Sequence, residues 1–310
     1  QDNGIHLLYN NINPLPHKAS RWSQKPYVLY PIRAIRRKNI GEAILVSLFL
    51  KGNETLAITL PPHSAADMPS YTRWKGFVAD NRLRVLFDVG RQHDFGELVG
   101  TARFLITTSI TEGFGFSFLE PWSAGKVLWG RSLPDICRDF ESNGVELGHL
   151  YTRLAVPLKW IDRDLFCAHW RTAVADACAL FDHPLAARRI DRALERISAD
   201  QTIDFGLLHE KFQQQVIARM VAHKPSSEAL IEYNPFLRHP GQVPNAQGLV
   251  AKNRAAVLAH YAGSGYTDRL LTTYRRVAGT PVKQRIDKSM LIDQFLDLNT
   301  FSLLKWKPYV

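Results

Sequence analysis

Two glutamates bracket the stretch of this chain whose residues are best suited to chemistry. The segment runs Glu112-Gly113-Phe114-Gly115-Phe116-Ser117-Phe118-Leu119-Glu120. A buried strand is predicted just before it, and a short apolar helix is predicted over Phe116 to Ala124. A glycine turn that leads into a helix N-terminus favours binding of an anion. Carboxylates beside an anion site favour a ligand that carries both phosphates and sugar hydroxyls, as a nucleotide sugar does.

A pair of basic residues follows an earlier predicted strand. Arg33 and Lys38 come shortly after Tyr27–Tyr30. In doubly wound sheets, ligands bind outside the carboxyl ends of the strands. A guanidinium and an ammonium placed there could hold the oxygens of a diphosphate and stabilise the charge that develops on it as a leaving group. A solvated basic turn is the alternative, because Arg36 and Arg37 lie between the two residues.

Together these motifs resemble the signature of retaining GT-B glycosyltransferases of the glycosyltransferase group 1, glycogen-synthase-like, kind. The resemblance rests on E-G-F-G-x-x-x-x-E, on the following Ser123-Ala124-Gly125-Lys126-Val127, and on the basic pair, and it covers roughly residues 5–165. It implies C-terminal donor-binding machinery that uses a nucleoside diphosphate sugar and a saccharide or other hydroxyl acceptor. It also implies retention of configuration and no essential metal or other cofactor.

The resemblance assigns a role to each residue of the predicted site. Arg33, Lys38 and Glu112 are predicted to be catalytic: the two cations would stabilise the departing diphosphate, and Glu112 would lie near the donor sugar. Residues 113–116 are predicted to bind the donor through backbone N–H groups, and Glu120 to accept hydrogen bonds from the ribose hydroxyls. The alternative for the glutamates is an ordinary helix with solvated carboxylates.

The elements that must position these residues alternate between strands and helices from residue 26 to about 160. Strands are predicted at Tyr27–Tyr30, Thr55–Leu60, Arg82–Phe87, Phe104–Thr108 and Val127–Trp129, with helices beginning near Asn39, Met68, Phe95, Phe116 and Pro134. Such alternation predicts a parallel sheet wrapped by helices. We therefore expect an α/β, Rossmann-like nucleotide-sugar-binding domain, half of a GT-B fold, over residues 26–163.

The pattern differs on either side of this domain. Residues 1–25 are predicted to be a linker, and residues 164–310 an all-helical domain of unknown role. Its predicted helices are 164–182, 185–198, 203–222, 247–262, 266–278 and 288–298. The resemblance implies a first Rossmann-like domain that this sequence does not contain. We therefore expect the chain to be a fragment or processed product whose acceptor-binding N-terminal domain is missing.

Composition restricts the possible partners. A formal net charge of +10 favours anions: nucleotides, phosphorylated acceptors, an anionic membrane surface or nucleic acid. No stacking platform or basic-aromatic motif supports nucleic acid, so we expect none, whereas membrane-surface contact stays possible. The three cysteines lack metal-ligand spacing, which predicts buried reduced thiols and a cytoplasmic location.

Two other acidic motifs and one alternative function stay open. Asp162-Arg163-Asp164 has the D-x-D pattern of a metal site, but an N-terminal helix cap is favoured. The segment 88–93 could contact a nucleotide base, while His93 and Asp94 could instead cap the next helix. The alternative to an enzyme is a non-catalytic module that keeps the nucleotide-sugar pocket and docks through its helical part.

Overall fold

Five parallel strands form the central sheet of the protein. The structure is a computed structural model that describes residues 8–18, 26–263, 265–279 and 287–309. The strands are β1 (Tyr27–Arg33), β2 (Thr55–Leu60), β3 (Val85–Leu86), β4 (Leu105–Thr107) and β5 (Leu128–Gly130), in the order β3-β2-β1-β4-β5. This is the strand order of a Rossmann-like sheet, so the predicted α/β fold class is confirmed.

The sheet is buried on both faces, as the apolar sequence of β1 requires. Val28 and Tyr30 pack into one hydrophobic cluster, whereas Tyr27 and Leu29 pack into another on the opposite face. Side chains alternate between the two faces of a strand, so a strand with helices on both sides must be apolar throughout. Leu29 is in register with Leu105 of β4, which places the carboxyl ends of β1 and β4 side by side.

Helices cover the sheet, and further helices make up most of the chain after it. The sheet region contains α1 (Ile40–Ser47), α2 (Met68–Asp80), α3 (Phe95–Thr101), α4 (Glu120–Ser123) and α5 (Pro134–Ser142). The rest of the chain contains α6 (Arg163–Leu180), α7 (Ala187–Ile197), α8 (Glu210–Ala222), α9 (Pro225–Tyr233), α10 (Ala246–Tyr261), α11 (Tyr266–Gly279), α12 (Lys288–Phe295) and α13 (Leu303–Trp306). The prediction of a helical second part is thus confirmed in its main features.

The structure corrects three details of the predicted elements. A short strand, β7 (Thr202–Asp204), pairs antiparallel with β6 (Ala155–Pro157), so the second part is not entirely helical. The predicted helix 203–222 therefore begins only at Glu210. Residues 225–233 form α9 where a break was predicted, because Pro225 occupies the first position of the helix, where no backbone N–H is needed.

Some predicted segments lie partly outside the described residues. For the linker 1–25 these are residues 1–7 and 19–25, and for the helical part they are residues 264, 280–286 and 310. Within the described residues, two of the three hydrophobic clusters combine side chains from both sides of position 163. Phe118 and Trp122, for example, share a cluster with Val257 and Tyr261 of α10.

A buried ion cluster of Glu42, Arg131 and Asp204 joins the sheet region to β7. Arg131 donates from Nε and Nη2 to Glu42 at 2.9 and 2.7 Å, and from Nη1 and Nη2 to Asp204 at 2.8 and 2.7 Å. The side chains of Glu42 and Arg131 are 0% and 5% exposed. Tyr151 and Asn39 donate further hydrogen bonds to Glu42. We refer to these three residues as the buried cluster.

Smaller predictions have the following outcomes. Asp162 accepts a hydrogen bond from the Leu165 N–H at 3.0 Å, and Asp94 accepts one from the Glu97 N–H at 3.1 Å, so both residues are helix caps. The three cysteines are free thiols, two of them buried. In the part of the chain that the structure describes, no helix combines the length and apolar character needed to cross a membrane.

Candidate functional site

One cavity gathers every residue of the predicted site. It measures about 400 Å³ and lies where the chain leaves β1 and β4. The lining includes Arg33, Lys38, Glu112, residues 113–116 and Glu120. The chain continues from β1 to β2 on one side and reaches β4 from β3 on the other, so the two strand ends form the switch point of the sheet. A crevice opens at such a point in doubly wound folds, and it is the usual place for a ligand.

A buried tyrosine joins the two loops that line the cavity. The Tyr30 hydroxyl donates to the Lys38 carbonyl at 2.7 Å and accepts from the Thr108 N–H at 3.1 Å. Burial raises the pKa of Tyr30 to about 12, so the hydroxyl stays protonated at neutral pH. The Thr108 hydroxyl donates to the Asn39 carbonyl at 3.0 Å. These bonds fix the backbone beneath Lys38 against the loop that leads to Glu112.

Glu112 lies between two cations at the edge of the cavity. Its carboxylate accepts a hydrogen bond from Lys38 Nζ on one oxygen, and Arg37 Nη1 lies 3.2 Å from the other. The side chains of Glu112 and Lys38 are only 7% and 14% exposed. Because two cations face one carboxylate, this group of three carries a net positive charge. The Ser117 hydroxyl adds a longer hydrogen bond of 3.4 Å to Glu112.

Glu120 differs from Glu112 because it has no compensating partner. Within the described residues, its carboxylate accepts no hydrogen bond and forms no ion pair. Burial raises the pKa of Glu120 to about 7, against the opposing effect of the Lys38 charge. A half-buried carboxylate with a strongly raised pKa in a cavity is typical of a functional position. The solvated-helix alternative for Glu120 does not agree with this burial.

The basic residues from Arg33, which ends β1, to Lys38 form a segment that we call the basic turn, and their side chains point to two places. Arg33 lines the cavity and is exposed, and no described residue accepts a hydrogen bond from its guanidinium. Arg36 points elsewhere and donates to Glu210 from Nε at 2.6 Å and from Nη2 at 2.8 Å. Arg37 returns to the cavity. The solvated-turn alternative is therefore wrong for Arg36 and Lys38, whereas Arg37 contacts Glu112 and still keeps 40% of its side chain exposed.

The glycine loop over residues 113–116 has a geometry that the sequence analysis only partly predicted. Gly115 has φ of 98°, and a Cβ there would lie 2.7 Å from Ile136 Cγ2, so only glycine fits without strain. Gly113 has open space around the position of a Cβ. No described residue accepts a hydrogen bond from the backbone N–H groups of Phe114, Gly115 or Phe116. The three residues line the cavity, so their N–H groups lie close to it without a described acceptor.

The predicted helix over 116–124 is wrong in its form. A 3₁₀ turn covers Phe116–Phe118, and α4 contains only the four residues Glu120–Ser123. Pro121 cannot donate to a preceding turn, which prevents one continuous helix. The predicted attraction of an anion to a helix N-terminus therefore has no support here. Individual N–H groups and cationic side chains must carry any such binding.

Among the polar residues of the lining, Tyr30, Arg37 and Ser117 were given no site role by the sequence analysis. Arg37 was counted as evidence for a solvated turn, although it lines the cavity and contacts Glu112. Ser117 was not assigned a role.

The segment 88–93 does not belong to the lining of this cavity, and Asp88 accepts hydrogen bonds from Tyr71 and Lys75 at 2.8 Å each. Among the described residues, no group of three or more His, Cys, Asp or Glu side chains could hold a metal ion.

Comparisons with known proteins find similarity over part of the chain. No model of a known protein family matches the chain. The chain is similar to mannosylglucosyl-3-phosphoglycerate synthase from Petrotoga mobilis, with 32% identity over 133 residues, or 42% of this chain and 26% of the relative. Thus the chain spans about a quarter of the length of that curated relative.

Solved structures show weaker similarity. Sucrose-phosphate synthase from Thermosynechococcus elongatus has 16% identity and a TM-score of 0.41 over 82% of this chain and 46% of that one. HepE from Anabaena in complex with UDP-glucose has 13% identity and a TM-score of 0.38 over 82% of this chain and 48% of that one.

Proposed function

We propose that this chain carries the donor site of a glycosyltransferase that uses a nucleoside diphosphate sugar. The observation that carries the proposal is that both motifs of the sequence line the same cavity of about 400 Å³. The basic turn after β1 and the glycine loop after β4 are about 75 residues apart in the chain, as the separations of their contacts illustrate. If the two short motifs resembled those of a glycosyltransferase only by chance, there would be no reason for them to lie next to each other in the folded protein.

The diphosphate of the donor would bind to the cations of the basic turn. Arg33 is the best placed to bind first, because its guanidinium lines the cavity without a described partner. Lys38 and Arg37 would share their charge between Glu112 and the diphosphate, since two cations face one carboxylate. When the bond between the diphosphate and the sugar breaks, the electron pair stays on the diphosphate. Fixed positive charges stabilise that leaving group.

The two glutamates and the glycine loop would bind the rest of the donor. Glu120 can accept one hydrogen bond on each oxygen from vicinal ribose hydroxyls, and these bonds would supply the partners that its carboxylate lacks in the structure. Glu112 would lie nearer the sugar, held by Lys38. The N–H groups of Phe114, Gly115 and Phe116 would donate to sugar hydroxyls or phosphate oxygens.

A donor panel tests the proposal directly. Calorimetric titration of residues 1–310 with UDP-, GDP- and ADP-sugars should detect binding of at least one class, with a preference that persists as salt is raised. A site that merely attracts polyanions would instead lose affinity steeply with salt and would not distinguish the bases. Absence of binding to every nucleotide sugar would refute the donor site.

The proposal also includes the reaction itself: the sugar is transferred with retention of configuration at its anomeric carbon. We expect this chain alone to bind the donor without transferring sugar, because the described residues contain only one Rossmann-like sheet. Glycosyl transfer in a cleft requires a facing wall that places the acceptor and excludes water. Fusion to a second Rossmann-like domain that binds the acceptor should allow transfer, and NMR of the anomeric proton in the product would show whether configuration is retained. Transfer by residues 1–310 alone would place the acceptor site in the helical part, whereas donor binding without transfer by the fused protein would favour the non-catalytic module.

A further inference from the structure

A second cavity, separate from the one described above, lies on the other side of the basic turn. It measures about 590 Å³ and its lining includes Arg73, His169, His209, Lys211 and Lys307. Glu210 contributes the only carboxylate among its described lining residues. That carboxylate is already bound by Arg36, and it also accepts a hydrogen bond from the Ser70 hydroxyl at 2.7 Å.

Within the described lining of this second cavity, no carboxylate is free to neutralise the positive charge. Burial alone would raise the pKa of Glu210, but the hydrogen bonds and charge of Arg36 hold this pKa below its usual value. Glu210 is therefore ionised, and its negative charge is paired with Arg36. Arg73, Lys211 and Lys307 form no ion pair with any described carboxylate. Burial, and less strongly the charge of Lys211, lowers the pKa of Lys307, although Asp176 opposes the shift. Within the described residues, these three cations share one concave surface and none of them forms an ion pair, although the charge of Asp176 acts on Lys307.

Two histidines in the lining of the cavity add a hydrogen-bond donor to its cationic side chains. The Lys211 N–H donates to His209 Nδ1 at 3.2 Å, so this nitrogen carries no proton. Burial lowers the pKa of His209 to about 4, which keeps the ring neutral with its proton on Nε2. That Nε2–H then donates to His169 Nδ1 at 3.0 Å. Neutral His169 must therefore carry its own proton on Nε2, and this N–H is an additional donor in the wall of the cavity.

We propose that this second cavity binds a phosphate group, either as the free ion or as the monoester of a small molecule. Lysine and arginine side chains together with neutral N–H donors are the groups that bind a phosphate dianion in proteins. A ligand with a doubly negative head would neutralise most of the unpaired charge. A carboxylate would supply less charge and fewer acceptor oxygens.

The surroundings of the cavity leave room for the organic part of a monoester. A shallower depression shares Arg73 and Tyr309 with it and is lined further by Ala65, Met68 and Pro69. An apolar surface next to a charged head site is the arrangement that small-molecule pockets commonly have. The basic turn lies between this cavity and the cavity of about 400 Å³ proposed to bind the sugar donor, which we call the donor cavity. Lys38 lines the donor cavity, whereas Arg36 donates to Glu210 and, at 2.5 Å, to the Lys307 carbonyl of the second cavity.

NMR of the histidine rings tests the site, because His169 and His209 line this second cavity. Neither residue lines the donor cavity. Titration of residues 1–310 with inorganic phosphate, at constant ionic strength and pH 7.5, should shift the Cε1–H resonances of His169 and His209 saturably. Lys211→Gln and Lys307→Gln should each weaken binding by about tenfold. Lys51→Gln removes the same charge from an exposed residue before β2 and serves as the matched control.

A parallel titration with glycerol 3-phosphate distinguishes the two sources of the phosphate group. Tighter binding of the ester assigns the site to a phosphorylated metabolite, and equal binding assigns it to the free ion. Histidine shifts that persist in Lys38→Ala exclude an effect transmitted from phosphate in the donor cavity. Unsaturable shifts, or equal weakening by Lys51→Gln and the two cavity variants, would refute the site.

Discussion

The buried cluster and the charged residues of the donor cavity lie four positions apart at Glu42 and Lys38, yet their polar groups are paired very differently. In the buried cluster, each oxygen of Glu42 accepts two hydrogen bonds. In the cavity, Glu120 and Arg33 have no described partner, and Glu112 is shared by two cations. Saturated buried charges stabilise or specify a fold, whereas unsaturated ones beside a cavity are available to a ligand.

The comparison predicts its largest effect in the buried cluster. Arg131→Ala should lower the free energy of unfolding by about 3–5 kcal/mol, because two largely buried carboxylates lose their counter-ion. Chemical denaturation measures this loss. Arg131→Lys, which keeps the charge without the bidentate geometry, should lose less.

Arg171→Ala provides the control, because Arg171 pairs with Asp191 at 3.0 Å on the surface, where both side chains are about half exposed. Its loss should be below about 1 kcal/mol. If Arg131→Ala is no more destabilising than this surface variant, the buried cluster is not a structural unit.

Removing cavity cations should instead affect binding. Arg33→Ala or Lys38→Ala should weaken donor affinity by about 1.5–3 kcal/mol, or roughly tenfold to a hundredfold, because each removes a charge-assisted contact. Calorimetry with the best donor of the panel measures the change, and Lys51→Ala is the matched control. Equal affinities for the wild type and both variants would remove the diphosphate clamp from the proposal.

The raised pKa of Glu120 predicts a pH dependence of donor binding. Below pH 7 the carboxyl becomes protonated and loses acceptor capacity for the ribose hydroxyls, so affinity should fall as pH falls through about 7. If only the ionised form binds, affinity at pH 6 should be about tenfold lower than at pH 8. Glu120→Gln should bind weakly at both pH values. A wild-type affinity that is constant from pH 6 to 8 would contradict the role of Glu120.

The smallest expected effect is a gain of stability in the same variant. Because the pKa of Glu120 is raised in the folded state, the folded protein binds more protons than the unfolded chain between the ordinary carboxyl pKa and about pH 7. Stability should therefore fall as pH rises through this window. Glu120→Gln should raise Tm by a few degrees at pH 8 and leave it unchanged at pH 4. Glu232→Gln, at an exposed position, should do neither.

Much of the sheet region could be predicted from sequence because its signals are local. The predicted strand at Thr55–Leu60 and the helices that begin near Met68, Phe95 and Pro134 agree with the structure. Apolar runs between turn residues determine such elements with little help from distant contacts. β7 could not be predicted in this way, because three residues carry no periodic pattern and its hydrogen bonds come from β6, about fifty positions earlier.

The site shows the same division. Residue types and spacing made Arg33, Lys38, Glu112 and Glu120 candidates, because cations and carboxylates near glycine turns are chemically distinctive, and the resemblance supplied their predicted roles. The contribution of Arg37 could not be predicted, since only the 3₁₀ turn after β1 directs it toward Glu112 and Arg36 away from it. The sequence suggested different roles for the two glutamates but not their different pairing, which follows from what lies beside each one in space.

The sequence by itself determined the order of strands and helices and the chemical groups available to the cavity, because both follow from local apolar patterns and residue types. Only the tertiary structure decided which charges are saturated. Glu42 and Asp204 meet Arg131 across long sequence separations, and Glu120 is left half-buried without a described partner. The cost of burying a charge depends on the distance to its partners in space, and that distance is fixed only when the sheet and the surrounding helices pack together.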